Sequence, residues 1–498
     1  MSPLPAGEGQ GEGELAGFKN TLLLPAGSTH RSFIRLILSL VSVAFIGTGC
    51  TLAPKYTRPA APVPTAWPSG LAYGETQTAT NVPIASDLGW QEFFTDEKLQ
   101  EVMGLALANN RDLRLAALNV ERVRALYGIQ RAELFPVLNA NGTGNKARVP
   151  ADLSSSGSRQ TVERYDANLG VAAWEIDFFG RIRSLKDSAL EAYLGTEQAR
   201  RSAQILLVSS VAQSYLALAA DREALNLAET TLAAQQSSYD LIKRRFELGL
   251  VAELDLLRAQ TPLEVARRDV AIYRQRVAQD ENALNLLAGG PVPPELLPSA
   301  LDKVSPPHEV TAGLSSEVLL RRPDVLQAEH QLKAANADIG AARAAFFPRI
   351  SLTAAMGTAS SDLSGLFQSG SGAWSYAPQI VMPIFDARNW SAHTAAKVQR
   401  EIAVTQYEKA IQAAFRDVAD ALAVRGTVGA QVAAQESLVN SFADTYRLAN
   451  SRFDKGIDSY LGVLDAQRSL FAAQQALVFL RLQKVANDVQ LYAVLGGG

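Results

Sequence analysis

Twice in this chain an alanine-rich helical run ends at a phenylalanine–proline pair and becomes an alternating strand. The first switch is "AELFPVLNANGTG" (Ala132 to Gly144) and the second is "GAARAAFFPRISLTAAMG" (Gly340 to Gly357). In the second, Ile350, Leu352, Ala354 and Met356 alternate with Ser351, Thr353 and Ala355, the period-two signature of a half-buried strand. Proline stops the helix and biases the residue before it towards extended geometry, so Pro136 and Pro348 mark helix-to-strand junctions. The two switches lie 344 − 132 = 212 residues apart. A second matched pair, "RFELGLVAELDLLRAQ" from Arg245 and "RFDKGIDSYLGVLDAQ" from Arg452, lies 452 − 245 = 207 apart. Two landmarks in the same order at nearly the same offset indicate an internal duplication.

The repeats are placed at 97–289 and 317–498, with the Pro/Gly-rich linker "GGPVPPELLPSALDKVSPP" inside 290–316. Each repeat reads helix, strand, loop, strand, very long helix, turn, long helix. In "AWSYAPQIVMPIF", Trp374, Tyr376, Pro378, Ile380, Met382 and Ile384 share one face of a second strand. Tight turns at "DFFGRIR", through Gly180, and "PIFDARNW" return the chain to helix. A helix from about Arg183 to Ala220 is expected. Ile411, Phe415, Val418 and Leu422 step by 4, 3 and 4, the spacing of a coiled-coil seam. The fold class is therefore mostly α with a membrane β-barrel and long coiled-coil-like helices. Four strands cannot close a barrel, and a lipid-facing open edge leaves amides without partners. Two copies would give 8 strands and three would give 12; the residues themselves allow both.

Before the repeats, residues 1–49 form an N-terminal extension and signal, with the apolar run "FIRLILSLVSVAFIG" ending in "GTGC". A cysteine just after such a run is where bacterial lipoprotein signals are cut and acylated, which makes Cys50 the candidate lipidation site, although Gly47 stands where that pattern prefers leucine. Residues 50–96 are expected to be an extended, lipid-anchored segment, because "APKYTRPAAPVPTAWP" cannot be helix. Cys50 is the single cysteine, which excludes a disulfide framework. A net charge of −3 argues against nucleic-acid binding.

At this point a resemblance applies. "LLRRPDVLQAEHQLKAANADIGAARAAFFPRISL" (Leu319 to Leu352), "GCTLAPKYTRP", "WEIDFFGRIR" and "VLDAQRSLF" resemble the outer-membrane efflux factor family of TolC-like channels, and within it the lipoprotein branch serving RND-type drug pumps. The resemblance implies a homotrimer, a 12-strand barrel in the outer membrane, a helical barrel in the periplasm and a mixed equatorial belt. Implied partners are a periplasmic adaptor, an inner-membrane RND-type transporter and outer-membrane lipid.

No enzymatic chemistry is expected. His30, His308, His330 and His393 are scattered, and no G-x-x-x-x-G-K-[ST] loop occurs. No cofactor or metal is expected. The functional polar groups are expected where the long helix pairs turn back, around "LAADREAL" (Leu218 to Leu225) and "LAVRGTVGAQ" (Leu422 to Gln431), with Gly426 and Gly429 as breakers. In the family these tips narrow to a periplasmic aperture closed by hydrogen bonds and ion pairs, which makes Asp221, Arg222, Asp417, Asp420 and Arg425 gate candidates. Gly249 and Gly456 read as structural punctuation between helices. The function expected is a passive exit duct for drugs and small toxic molecules. The alternatives are the same fold exporting metal ions or proteins, and a lipid-anchored coiled-coil scaffold without a pore.

Overall fold

The computed structural model describes residues 51–73, 85–313 and 315–497. Cys50 and the signal lie outside the described residues. After a short helical entry come α1 (Glu97–Asn109), α2 (Arg111–Ala132), β1 (Leu138–Val149), β2 (Gln160–Glu175), α3 (Arg181–Glu247) and α4 (Glu253–Ala288). The linker leads to α5 (Pro323–Ala344), β3 (Arg349–Ser360), β4 (Gly372–Val381), α6 (Ala387–Asp454) and α7 (Tyr460–Val494). With 67 and 68 residues, α3 and α6 each run about 100 Å at 1.5 Å per residue.

The strands form one antiparallel sheet in chain order. Ile350, Leu352, Ala354 and Met356 sit directly across from Ile380, Pro378, Tyr376 and Trp374, as the alternation requires. Leu138 and Ala140 continue the apolar face through Val171 and Leu169. On the opposite face Asn141 Nδ2 donates to Asn168 Oδ1 (3.4 Å), and Ser351 lies across from Gln379. One irregularity matters: between Val171 and Trp174 the register slips by one residue, with Ala173 at φ 48° and its amide donating to Thr353 Oγ1. The extra residue inverts the alternation. Trp174 thereby joins Leu352 on the apolar face and Glu175 joins Ser351 on the polar one. β4 stops at Val381, short of Met382 and Ile384, where Pro383 has no amide to donate.

Near the sheet the wall is four helices wide, α2–α3–α5–α6; towards the far end it is α4–α3–α7–α6. Ile411 and Val418 are buried and Phe415 and Leu422 pack against the core, as the seam spacing predicts.

The expected turns at Leu218–Leu225 and Leu422–Gln431 are not there. Both stretches are uninterrupted helix inside α3 and α6. Around the first, Leu216, Leu218, Ala219, Ala220 and Ala224 are all buried, so lateral packing carries the helix through its three charges. In the second, Gly426 is a crossing point rather than a breaker: a Cβ there would come within 2.3 Å of the Ala72 carbonyl oxygen and 3.0 Å of Tyr73 Cα. Gly429 faces open space.

Gly426→Val therefore displaces residues 72–73 from α6, while Gly429→Val carries the same propensity penalty without a clash. Limited proteolysis is expected to cut the 51–73 segment about tenfold faster in Gly426→Val alone, the equivalent of ~1.4 kcal/mol of lost docking; equal rates in the two variants would refute the crossing.

Candidate functional site: the duct wall, its strap and its turning points

At the base of the sheet the chain must pass from strand to helix within a few residues while satisfying the first amides of the helix. Gly180 adopts φ 76° at the N-terminus of α3, the left-handed geometry glycine accepts without strain. Asp177 Oδ2 accepts from the Arg183 amide (2.9 Å), and Arg181 grips Glu175 through two 2.8 Å bonds. The second repeat solves the same problem with Asp386, which caps α6 by accepting from the Arg388 amide at 3.0 Å. Pro136 and Pro348 lie just past the ends of α2 and α5, where helix gives way to strand.

The proline-rich segment is an extended strap laid along the second repeat. Arg343 Nη1 donates to the Leu52 carbonyl (3.2 Å) and Asn336 Nδ2 to the Pro54 carbonyl (2.7 Å). Ala53 crosses Gly340, where a Cβ would meet its amide nitrogen at 2.7 Å. Glu329, only 3% exposed, is the central anchor. It accepts from Arg58 at 3.1 and 2.7 Å and from the Tyr56 hydroxyl at 3.1 Å, with Lys333 at 3.2 Å. Burial pushes the Glu329 carboxyl up, but the bonds from Arg58 and Lys333 outweigh it and hold the group below its ordinary range. Farther along, Ser316 donates its hydroxyl to the Pro64 carbonyl (2.6 Å), and Trp67 stacks on Phe415. The sequence signal for the strap's extended form was the proline content; the acid that receives it, inside "LQAEHQLKAANADIG", looks like an ordinary surface residue.

The five gate candidates lie in the middle of the wall rather than at a turn. Arg222 donates to the Pro298 carbonyl and to Glu281, both at 2.6 Å, and Glu223 accepts from the Leu301 amide, so this turn of α3 holds the linker. Asp221 is 4.0 Å from Arg276. Asp417 pairs with Arg416 (2.6 Å) and approaches Arg322 (3.9 Å), the residue that caps the C-terminal end of α7 by donating to the Val494 carbonyl. Asp420 is exposed and 3.9 Å from Arg416. Arg425 donates to the Val310 carbonyl. The structure thus brings Arg222 and Arg425 to the two ends of the linker, and does not bring the five together.

The helices turn back at Leu248–Ala252 and Lys455–Ser459. Gly249 (φ 74°) and Gly456 (φ 71°) are the left-handed residues. In each turn the glycine amide and the next amide bond back into the helix: Gly249 to Phe246 (2.9 Å) and Leu250 to Arg245 (2.8 Å), then Gly456 to Phe453 (2.9 Å) and Ile457 to Arg452 (2.9 Å). This is the glycine C-terminal motif, and the repeated "RF..G" followed by an apolar residue was its legible signal. Arg452 pairs with Asp458 (2.6 Å), Arg468 with Asp465, and the Arg245 guanidinium lies 5.0 Å from the Phe453 ring centre, tying one hairpin to the other. These are the charged groups at the hairpin tips.

The outer membrane efflux protein family description matches residues 102–290 and again 314–497. This chain belongs to the outer membrane efflux protein family. It is 50% identical over 464 residues to the antibiotic efflux pump outer membrane protein ArpC of Pseudomonas putida, covering 93% of this chain and 95% of that one. It is 49% identical over 466 residues to the solvent efflux pump outer membrane protein SrpC of the same species, covering 93% and 98%. Among solved structures, the open state of the Neisseria gonorrhoeae MtrE outer membrane channel superposes with a TM-score of 0.81 at 37% identity, covering 90% of this chain and 98% of that one. This efflux protein is accordingly an outer-membrane channel component, with its sheet in the bilayer and its helical wall in the periplasm.

Arg58→Met removes the principal partner of Glu329. Breaking a buried pair from one side typically costs 3–5 kcal/mol; with Arg58 half exposed and Lys333 still in place, a loss of about 2 kcal/mol is expected in thermal unfolding. Because the Glu329 carboxyl is held low, the stabilisation is fully present above the ordinary glutamate range and is lost only as the pH falls through the lowered folded value, so wild type and Arg58→Met should converge only at pH values below the ordinary glutamate range.

Proposed function

We propose that three copies of this chain close into a single passive duct: a 12-strand barrel through the outer membrane, continued by a helical tube in the periplasm. The observation that carries this reading is the four-stranded sheet itself. β1 and β4 are its open edges, and the residues with a shared apolar face include Leu138, Leu169, Met356, Trp374, Tyr376 and Ile380, all exposed in one copy. In lipid, open edges leave amides and carbonyls without partners, so the edges must pair with other copies. The wall supports the same closure. One flank is formed by α2, none of whose side chains is buried and on which Leu115, Leu118, Leu126 and Ile129 are exposed; the other is α6, with Val398 and Ile402 exposed.

The cargo proposed is drugs, solvents and other small toxic molecules, in line with the antibiotic and solvent pumps named for the relatives. The duct would take them from an energised inner-membrane transporter of RND type through a periplasmic adaptor seated on the hairpin tips. It supplies a path and no energy or chemistry of its own. Cys50, immediately before the strap, is the proposed acylation site; Leu52 is held by the last turn of α5, beside the membrane junction, which suits a tether anchored in the inner leaflet. The gate is proposed at the tips. There Asp458 and Asp465 from three copies, once released from their pairs with Arg452 and Arg468, would form acidic rings favouring cations.

Two measurements test this. Cysteines placed one at a time along Leu138–Gly144 with Tyr376→Cys should yield a disulfide-linked trimer at one register; monomers throughout the scan, in folded protein, would rule out closure through these edges. In planar bilayers, discrete cation-preferring steps are expected, with the preference weakened in Asp465→Ala; a folded, inserted oligomer whose selectivity ignores both aspartates would move the gate away from the tips.

A further inference from the structure

Beside the linker, two carboxyls meet across the seam of α3 and α4. Asp221 of α3 and Asp280 of α4 lie close enough for each carboxyl to act on the other, and Arg276, one turn before Asp280 on α4, reaches to 4.0 Å from Asp221. Asp280 Oδ2 is sealed from solvent and has no hydrogen-bond donor directed at it among the described residues. The Arg276 side chain is more than half exposed, where solvent screens it. Tyr273 of α4 is the remaining titratable neighbour of Asp221; its hydroxyl accepts from Gln475 of α7 (3.1 Å), and Asp269 acts on Tyr273. From the linker side come the Pro298 carbonyl and the Leu301 amide; Arg222 and Glu281 are already paired with each other. None of these groups donates to Asp280 Oδ2.

We propose that Asp221 and Asp280 form a proton-dependent clasp between α3 and α4 that sets how firmly the repeat linker is held against the wall. With one proton shared, an O–H···O⁻ bond joins the two helices; with both groups ionised, two negative charges face each other in a partly desolvated seam. The same turn of α3 carries the linker contacts, because Arg222 reaches the Pro298 carbonyl and Glu223 receives the Leu301 amide. Movement of that turn therefore reaches the linker directly. Burial and the facing Asp221 push Asp280 up to about 6, and burial raises Asp221 as well. A carboxyl raised on folding contributes stability at low pH that is lost as the pH climbs through its folded value. The clasp is closed below about pH 6 and loosened above it. The inference concerns one chain's own seam and holds whatever the number of copies around the duct.

The test is amide hydrogen exchange of peptides covering 290–304 in the full-length, detergent-solubilised protein at about pH 5 and about pH 7.5, corrected for the intrinsic pH dependence of exchange. Wild type is expected to lose protection at the higher pH by about tenfold, the equivalent of ~1.4 kcal/mol. Asp280→Asn, which donates a hydrogen bond at any pH, should keep the linker protected at both. Glu281→Gln, which breaks the Arg222 pair without touching the clasp, should loosen the linker at both pH values and keep the dependence. Equal corrected exchange at the two pH values in wild type, or a dependence that survives in Asp280→Asn and Asp221→Asn, would overturn the proposal. A protonated-carboxyl infrared band present at about pH 5 in wild type and absent from Asp280→Asn would identify the titrating group independently of linker protection; an unchanged band would reject it.

Discussion

A polypeptide in hydrocarbon has no water to satisfy its amides, and the rest of this molecule follows from that. Two strands per repeat supply one apolar and one polar face, and pairing them within a copy satisfies both edges of β2 and β3 but only the inner edges of β1 and β4. The outer edges demand a ring. Once a ring exists, each strand must lead into a wall helix at a set angle. The chain meets that demand with glycine geometry at Gly180 and carboxylate caps at Asp177 and Asp386. The bulge at Ala173 belongs to the same constraint: without the inserted residue, Trp174 and Glu175 would exchange faces, putting a carboxylate in lipid.

Outside the membrane the difficulty is different. Helices of about 100 Å cannot be sustained by propensity, and alanine-rich seams bury little area per residue. The wall is stabilised by elements laid across it. The strap ties residues from Leu52 to Tyr73 over α5 and α6, and the linker ties α3 and α6 through Arg222 and Arg425. Glu329 shows the cost of that solution. A nearly inaccessible carboxylate is tolerable only while Arg58, Lys333 and Tyr56 surround it, so the strap and the wall are mutually dependent.

Much of the architecture was legible because it is written in periodicity and in proline and glycine. The Phe-Pro junctions, the cross-strand apolar partners and the 4-3-4 seam of α6 each depend on local spacing, which a strand or helix must obey wherever it sits. The turning points were misplaced for an instructive reason. Charges at Asp221–Glu223 and glycines at 426 and 429 look like interruptions, yet a helix packed on both sides absorbs them, and Gly426 exists for a crossing by residues far away in sequence. The true turns at Gly249 and Gly456 carried the stronger signal, a glycine that accepts positive φ followed by an apolar residue. Asp280 was invisible, since nothing in its neighbourhood distinguishes a carboxyl facing solvent from one facing Asp221.

By itself, then, the sequence determined the duplication, the alternation of helix and strand, the two faces of the sheet and the need for more than one copy. Those properties are consequences of backbone geometry and of residue spacing along the chain. The tertiary structure decided where the long helices end, which acid receives the strap, that a bulge reorients Trp174, and which charged groups hold the linker. Each of these depends on groups brought together from distant parts of the chain, and their energies are set by burial and by partners that no local pattern records.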